Sequence, residues 1–311
     1  MTKIVVTGGN GFIGHTLVRY LLEKGFQVKV IDTKPIKFTH PNLSFIKKSV
    51  LDDLRWDLND CDIVYHLAAQ LGVVNSDLKP LNTLQVNIDG TVNVFRCALD
   101  TGVKKIIYSS SSEVYGEPRE TPIKEDSPKS PVSVYGVSKL TAEMYAKGYM
   151  KEFGMDINPV RFFNVYGPGQ GFEWVAPIFM KKVLGGEQPL VFGDGSQVRC
   201  FTFIKDIVKG METVMEKGGK GEAYNIANTE PVTMKELAEL IIKISGKDMK
   251  PKIVGFGKET REESREIMTR IPDISKLKAL GWKPEISTEE GMKMTYNWYK
   301  ENMGKEELFY E

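Results

Sequence analysis

The stretch Thr7-Gly8-Gly9-Asn10-Gly11-Phe12-Ile13-Gly14 follows an apolar run, Ile4 to Val6, and precedes a helical pattern carrying Leu17, Val18, Leu21 and Leu22. A buried strand that feeds a glycine-rich turn and then an amphipathic helix aims backbone N–H groups and a helix N-terminus at one point, where a phosphate fits. The first glycine permits the tight turn, the second lets a pyrophosphate reach the backbone, and the third lets helix and strand pack closely. Gly8, Gly11 and Gly14 are therefore expected to hold a phosphate-bearing cofactor. A second strand-like run, Gln27 to Ile31, ends at Asp32. There, about twenty residues on, an acidic side chain can take both hydroxyls of an adenosine ribose. The same carboxylate repels a 2′-phosphate, which favours NAD over NADP, while Lys34 and Lys37 nearby leave NADP open.

Further apolar runs, Val28 to Ile31, Leu43 to Ile46, Ile63 to Leu67 and Lys105 to Tyr108, recur with helical stretches between several of them. Short buried strands alternating with helices predict an α/β fold, a Rossmann-type doubly wound parallel sheet that binds ligands at the carboxyl ends of its strands. His66-Leu67-Ala68-Ala69-Gln70 ends one strand, and its small residues either let a cofactor lie against the backbone or simply pack closely. His66 reads as a structural histidine. Val86 to Leu99 reads as a helix, with Asn87 near its start bonding either the cofactor or its own backbone.

The next strand ends in Tyr108-Ser109-Ser110-Ser111-Ser112-Glu113-Val114-Tyr115-Gly116, placing several hydroxyls at the mouth of the sheet. After it comes Tyr135-Gly136-Val137-Ser138-Lys139, on a helix expected from about Val134 to Phe153. Residues four apart share one helix face, so the phenol and the ammonium project together. A fixed cation favours phenolate and lowers a tyrosine pKa from its reference of about 10, as a phenol acting as base near neutral pH requires.

Lys+Arg and Asp+Glu number 42 and 41, so no basic surplus points to nucleic acid or an acidic membrane surface. The 311 residues suffice for one large domain or a large and a small one. A core strand two residues after Met1 and the lack of any apolar run of roughly 20 residues read as a soluble, cytoplasmic chain. Cys61, Cys97 and Cys200 fit neither a disulfide framework nor a metal-ligand spacing, so reduced, mostly buried thiols and no metal are expected.

Together these motifs resemble the extended short-chain dehydrogenase/reductase family, specifically its NAD-dependent nucleotide-sugar epimerases and dehydratases. The resemblance spans nearly the whole chain. It runs through GGNGFIG at Gly8 to Gly14, HLAAQ at His66 to Gln70, SSSSEVYG at Ser109 to Gly116 and YGVSK at Tyr135 to Lys139. It continues through RFFNVYGPGQ at Arg161 to Gln170, FGDGSQVRCF at Phe192 to Phe201, and Leu280-Gly281-Trp282 with Pro284.

The resemblance implies that Tyr135 is the base on a sugar hydroxyl, that Lys139 holds the nicotinamide ribose, and that Ser111 shares the hydroxyl proton. It places the cofactor on Gly8, Gly11, Phe12, Ile13, Gly14, Asp32, Val50, Leu67, Ala68, Ala69, Asn87, Ser109, Tyr135, Lys139 and Phe163. The substrate falls to Ser111, Ser112, Glu113, Asn164 and Arg199, with Arg199 on the diphosphate. Two positions depart from the family pattern. Ser49 stands where an Asp usually bonds the adenine amino group, and Glu263 stands where an arginine is usual, with Arg261, Arg265 and Arg270 nearby as its possible replacements.

Residues 1–166, with a segment returning near 200–228, are expected to form the NAD-binding domain, and 167–311 mainly the substrate lobe. The Tyr166 to Val175 loop carries Phe172 and Trp174, which stack on a ligand or fill a core. An amphipathic helix with a fraying end is expected after Trp282, and the family suggests a homodimer through the Val86 to Leu99 and Tyr135 helices. The expected enzyme is a UDP-glucose 4-epimerase-like protein that oxidises a nucleoside-diphosphate sugar to a transient keto-sugar and reduces it on the other face. The alternatives are a 4,6-dehydratase-like enzyme using Glu113 as acid/base and, from another class, a non-catalytic dinucleotide-binding regulator.

Overall fold

The structure, a computed structural model, describes residues 2–255 and 267–305. Lys3–Thr7 (β1), Gln27–Asp32 (β2), Leu43–Lys47 (β3), Ile63–His66 (β4), Lys105–Ser111 (β5) and Ile157–Phe162 (β6) join a late strand, Tyr224–Ile226, in a seven-stranded sheet. Its order is Tyr224–Ile226, β6, β5, β4, β1, β2, β3, and all neighbours run parallel. Burial on both faces explains why the central strands read as continuous apolar runs. Ile4 and Val6 face one core with Leu17, Val18 and Leu21 of the first helix, Phe12–Glu23. Val5, between them, faces a second core with Phe95, Ala98 and Ala142.

The chain lays β1, β2 and β3 outward in one direction, then returns to set β4 on the other side of β1 and builds on to β5 and β6. The strand order thus reverses between β1 and β4, and a ligand crevice opens at their carboxyl ends, beside Thr7 and His66.

Three further helices flank the sheet. The Tyr135 helix spans Val134–Phe153, as its spacing predicts; the Ser133 hydroxyl accepts the Gly136 N–H at 3.0 Å, and Gly154 ends it at φ 68°. The helix expected at Val86 to Leu99 is instead one π-helical turn, Gln85–Asp89, running into an α-helix, Gly90–Thr101. Periodicity alone could not reveal the wider turn, which turns on where Asn87 is held. The helix Ile204–Lys217 lies within the segment expected to return to the sheet near 200–228.

The remaining segments form a small lobe. Val198–Cys200 pairs antiparallel with Pro231–Thr233 and parallel with Thr269–Arg270. A capping box of Thr233 and Glu236 starts the helix Met234–Ser245. The last helix, Thr288–Asn302, buries Met292, Tyr296 and Tyr299, and Phe172 fills the core against Tyr299 with ring centroids 5.4 Å apart. Trp174 is 37% exposed and its indole N–H donates to Glu173. The fraying end expected beyond the helix that follows Trp282 falls on residues that include 306–311, outside the described residues.

Candidate active site

At the cofactor end, Gly8 takes φ +70°, and a Cβ there would lie 2.6 Å from the Ala68 backbone nitrogen. No side chain fits, so the turn and the Leu67-Ala68-Ala69 segment close on each other. Gly11 caps the first helix without a side-chain hydrogen bond, and its first turn holds no acidic residue. Its N-terminal N–H groups therefore keep their attraction for a phosphate. Asp32 accepts the Asn10 N–H through one carboxylate oxygen and the Lys34 N–H through the other, both at 2.9 Å, which fixes the carboxylate beside the glycine turn. A tight turn, an uncapped helix start and a pinned carboxylate fit the pyrophosphate and ribose of a dinucleotide. The Asn10 contact is one the sequence reading missed; a single asparagine between glycines carries no signal of it.

His66 is structural, as expected: its ring nitrogens meet the hydroxyls of Thr7 at 2.7 Å and Thr91 at 2.9 Å. Burial, with the charge of Lys139 second, lowers its pKa to about 3, so it is neutral. Asn87 does not bond its own backbone. Its side-chain oxygen accepts the Gln70 N–H at 2.7 Å, and its amide donates to the Gln70 carbonyl at 3.1 Å and the Ser138 hydroxyl at 3.0 Å. It ties the β4 loop to the Tyr135 helix. Val50 is buried in the second core beside Gly90.

The serines after Tyr108 divide by face. Ser110 turns inward and donates to Glu143 at 2.5 Å, so it does not reach the mouth. The Ser109 carbonyl accepts Lys139 Nζ at 2.8 Å. Ser111 accepts the Glu113 N–H at 3.2 Å, and its side chain lies near enough to the Tyr135 phenol to pull its pKa down. A Cβ on Gly136 would lie 2.8 Å from the Glu113 carbonyl oxygen, so only glycine lets the Tyr135 helix approach this turn so closely. Tyr135, Ser111 and Glu113 are thereby brought together.

One expectation is corrected here. Lys139 does not lower the Tyr135 pKa; burial, and after it the charge of Glu113, raises it, with only Ser111 acting downward. Lys139 Nζ is 5.7 Å from the centre of the Tyr135 ring, and burial pushes its own pKa down to about 7 against the opposing charge of Glu143. Helical spacing set the direction of the side chains but not the balance of desolvation against charge.

Toward the lobe, Asn164 adopts φ 36° and its amide donates to the Cys200 carbonyl at 3.2 Å. Phe163 is fully buried, its ring near Tyr115 and its carbonyl accepting the Thr202 hydroxyl at 2.9 Å, so its side chain does not line the crevice. Arg199, 8% exposed, sits on Val198–Cys200 in register with Arg270 of the neighbouring strand. Arg270 donates through Nη1 to Glu113 Oε1 at 2.5 Å and to Ser112 Oγ at 3.4 Å. Of the three arginines left open, Arg270 is joined to the expected site, while Arg261 and Arg265, like Glu263, lie outside the described residues. A strand of only two residues gives no periodicity from which this could be read. Among the described residues no cluster of ligating side chains could hold a metal, and no helix is long and apolar enough to cross a membrane.

The model of the family GDP-mannose 4,6 dehydratase matches residues 5–295. The chain is 35% identical to a putative UDP-glucose 4-epimerase of Methanocaldococcus jannaschii, the match covering 96% of this chain and 99% of that protein. It is 34% identical to a UDP-N-acetyl-alpha-D-glucosaminuronate decarboxylase of Bacillus cytotoxicus, covering 96% and 98%. Among solved structures, the dTDP-glucose 4,6-dehydratase of Streptomyces venezuelae, with NAD and TYD bound, superposes with a TM-score of 0.90 at 30% identity, covering 99% of this chain and 100% of that one.

Proposed function

The chain belongs to the GDP-mannose 4,6-dehydratase-like family of NAD-dependent nucleotide-sugar epimerases and dehydratases, and from that premise we propose that it is a 4-epimerase of a nucleoside-diphosphate sugar. The observation that carries this is the meeting of Tyr135, Ser111 and Glu113 at one point, where Gly136 packs against the Glu113 turn and Glu113 is held by Arg270 at 2.5 Å. In this reading Gly8, Gly11, Gly14 and Asp32 hold NAD, and residues 1–166 with the 200–228 return form its domain. NAD, when bound, supplies the two-electron oxidation of the sugar carbon and its reversal. Tyr135 takes the proton of the ring hydroxyl, and Ser111 beside it shares that proton. Lys139, one helical turn on along the same face, holds the nicotinamide ribose in this reading. Arg199 holds the diphosphate, since its planar fork bonds two phosphate oxygens. The relatives divide over several reactions, so elimination with Glu113 as acid/base is the second reading.

Sugar nucleotides turned over in deuterium oxide separate the two. A 4-epimerase returns to carbon only the hydrogen that left it, so the product should have unchanged mass and no solvent deuterium on carbon. Loss of water, with deuterium on the carbon beside the retained carbonyl, makes Glu113 the acid/base of a dehydratase. Absence of any conversion across UDP-, dTDP- and GDP-sugars would favour the non-catalytic regulator.

We further infer a cytoplasmic homodimer. Three buried, unpaired cysteines suit a reducing compartment. Leu78, Leu81, Val137, Met144 and Tyr145 are exposed on the short helices Val73–Leu78 and Pro80–Leu84 and on the Tyr135 helix, a face suited to isologous pairing. The apolar side chains Val94, Phe95 and Ala98 of Gly90–Thr101 are buried instead, which shifts the proposed contact toward residues 73–84. Light scattering at micromolar concentration should give twice the chain mass, and a Leu81→Lys, Met144→Lys double variant should give the monomer. A wild-type monomer contradicts the inference.

A further inference from the structure

Arg161 and Arg270 place the same guanidinium in the interior, and only one of them is fully used. Arg161 holds the two oxygens of Glu143 through Nε and Nη2, at 2.9 and 2.7 Å, and its Nη1 donates to the Tyr115 hydroxyl and the Glu125 carbonyl. Arg270 is buried as deeply, 3% exposed against 2%. Its Nη1 is engaged by Glu113 and Ser112, but its Nε and Nη2 have no hydrogen-bond partner among the described residues. Nε and Nη2 share one edge of the planar group, the edge by which Arg161 grips a carboxylate in this same molecule. Buried N–H donors of a cation are costly to leave unpaired, so an acceptor is called for.

We propose that this edge of Arg270 receives the carboxylate of a uronic acid, which makes the substrate a nucleoside-diphosphate hexuronate. The proposal rests on the reading of Tyr135 as the base of a sugar oxidation. The position follows from the connections of Glu113. Its oxygen touches Arg270, its N–H bonds Ser111, and its charge acts on the Tyr135 phenol. Arg270 therefore borders the place where the ring hydroxyl reacts. On a hexuronate oxidised at C4, the carboxyl group hangs from C5, the next ring carbon, within one residue's reach of Tyr135. Arg199, in register on the adjacent strand, is the arginine proposed for the diphosphate, and Arg270 then serves a second anion on the sugar. A carboxylate gives two coplanar oxygens to the two unpaired donors; the hydroxymethyl of a neutral hexose gives one.

Isothermal titration of the NAD-loaded wild-type protein with UDP, UDP-glucose and UDP-glucuronate, repeated with Arg270→Lys, tests this without requiring turnover. Lysine keeps the charge and loses the fork. UDP-glucuronate should bind wild type roughly 10-fold or more tightly than UDP-glucose, and Arg270→Lys should remove most of that advantage while UDP binding changes by less than about threefold. Equal affinity of wild type for the two sugars overturns the proposal, and this comparison stands even if the variant fails to fold. A parallel loss for UDP, UDP-glucose and UDP-glucuronate in the variant also overturns it, and assigns Arg270 to the diphosphate. Wild-type protein that binds none of the three overturns the nucleotide-sugar reading, and the carboxylate assignment falls with it.

Discussion

Ser110 and Ser111 are neighbours on one strand and serve opposite sides of the sheet. Ser110 donates to Glu143, which is held in turn by Arg161, itself bonded to Tyr115; Tyr115 donates to Asn225 at 2.7 Å. Every link in that chain has its partner, and the network ties β5, β6, the Tyr135 helix and the late edge strand into one body. Ser111 points the other way, to Tyr135 and the turn bearing Glu113, where two donors of Arg270 have no partner among the described residues. Successive side chains of a strand alternate in direction, so one residue separates a group that holds the fold from one that faces the chemistry. The difference teaches where to look for function in this molecule: at buried polar groups whose hydrogen bonds are incomplete.

The comparison is tested most severely at Glu143. Glu143→Ala leaves the Arg161 charge buried without its counter-ion and should cost about 3–5 kcal/mol of stability, read from denaturant unfolding. A loss below about 1 kcal/mol would remove the distinction between the two sides. On the other side, Tyr135→Phe keeps the ring and its packing but removes the proton acceptor. Turnover should fall by roughly 10² or more, about 2.7 kcal/mol, while the unfolding midpoint stays at the wild-type value. Turnover near wild type in that variant would deny the mouth its role.

A smaller effect per unit of pH sharpens the interior side. Burial, ahead of neighbouring positive charge, lowers the pKa of His66 from 6.5 to about 3 and that of His15 from 6.5 to about 4. The unfolded chain then binds protons that the folded chain refuses. Stability from these groups is present in full above pH 6.5 and is lost as pH falls toward 4 and then 3, by at most about 1.4 kcal/mol per unit for each histidine. Unfolding free energies measured from pH 7.5 down to pH 5 should decline through this window. A flat profile would mean that the two rings are protonated inside the fold.

Much of this was legible in the residues themselves. The run Ile4 to Val6, the glycine turn and Asp32 forecast strand, turn and helix because each rests on local backbone geometry and a period of two or 3.6 residues. Tyr135 and Lys139 are placed on one helix face by their spacing alone, and the Val134–Phe153 boundaries follow from Ser133 and Gly154. What the sequence could not determine is what lies far apart along it. Glu113 and Arg270 are separated by 157 positions, and a two-residue strand brings them together. Asn87 finds its partners in Gln70 and Ser138, not in its own turn. The direction of the Tyr135 pKa reversed for the same reason. Spacing fixes which charge is near, but desolvation depends on everything that packs around the phenol, and only the assembled tertiary structure sets that.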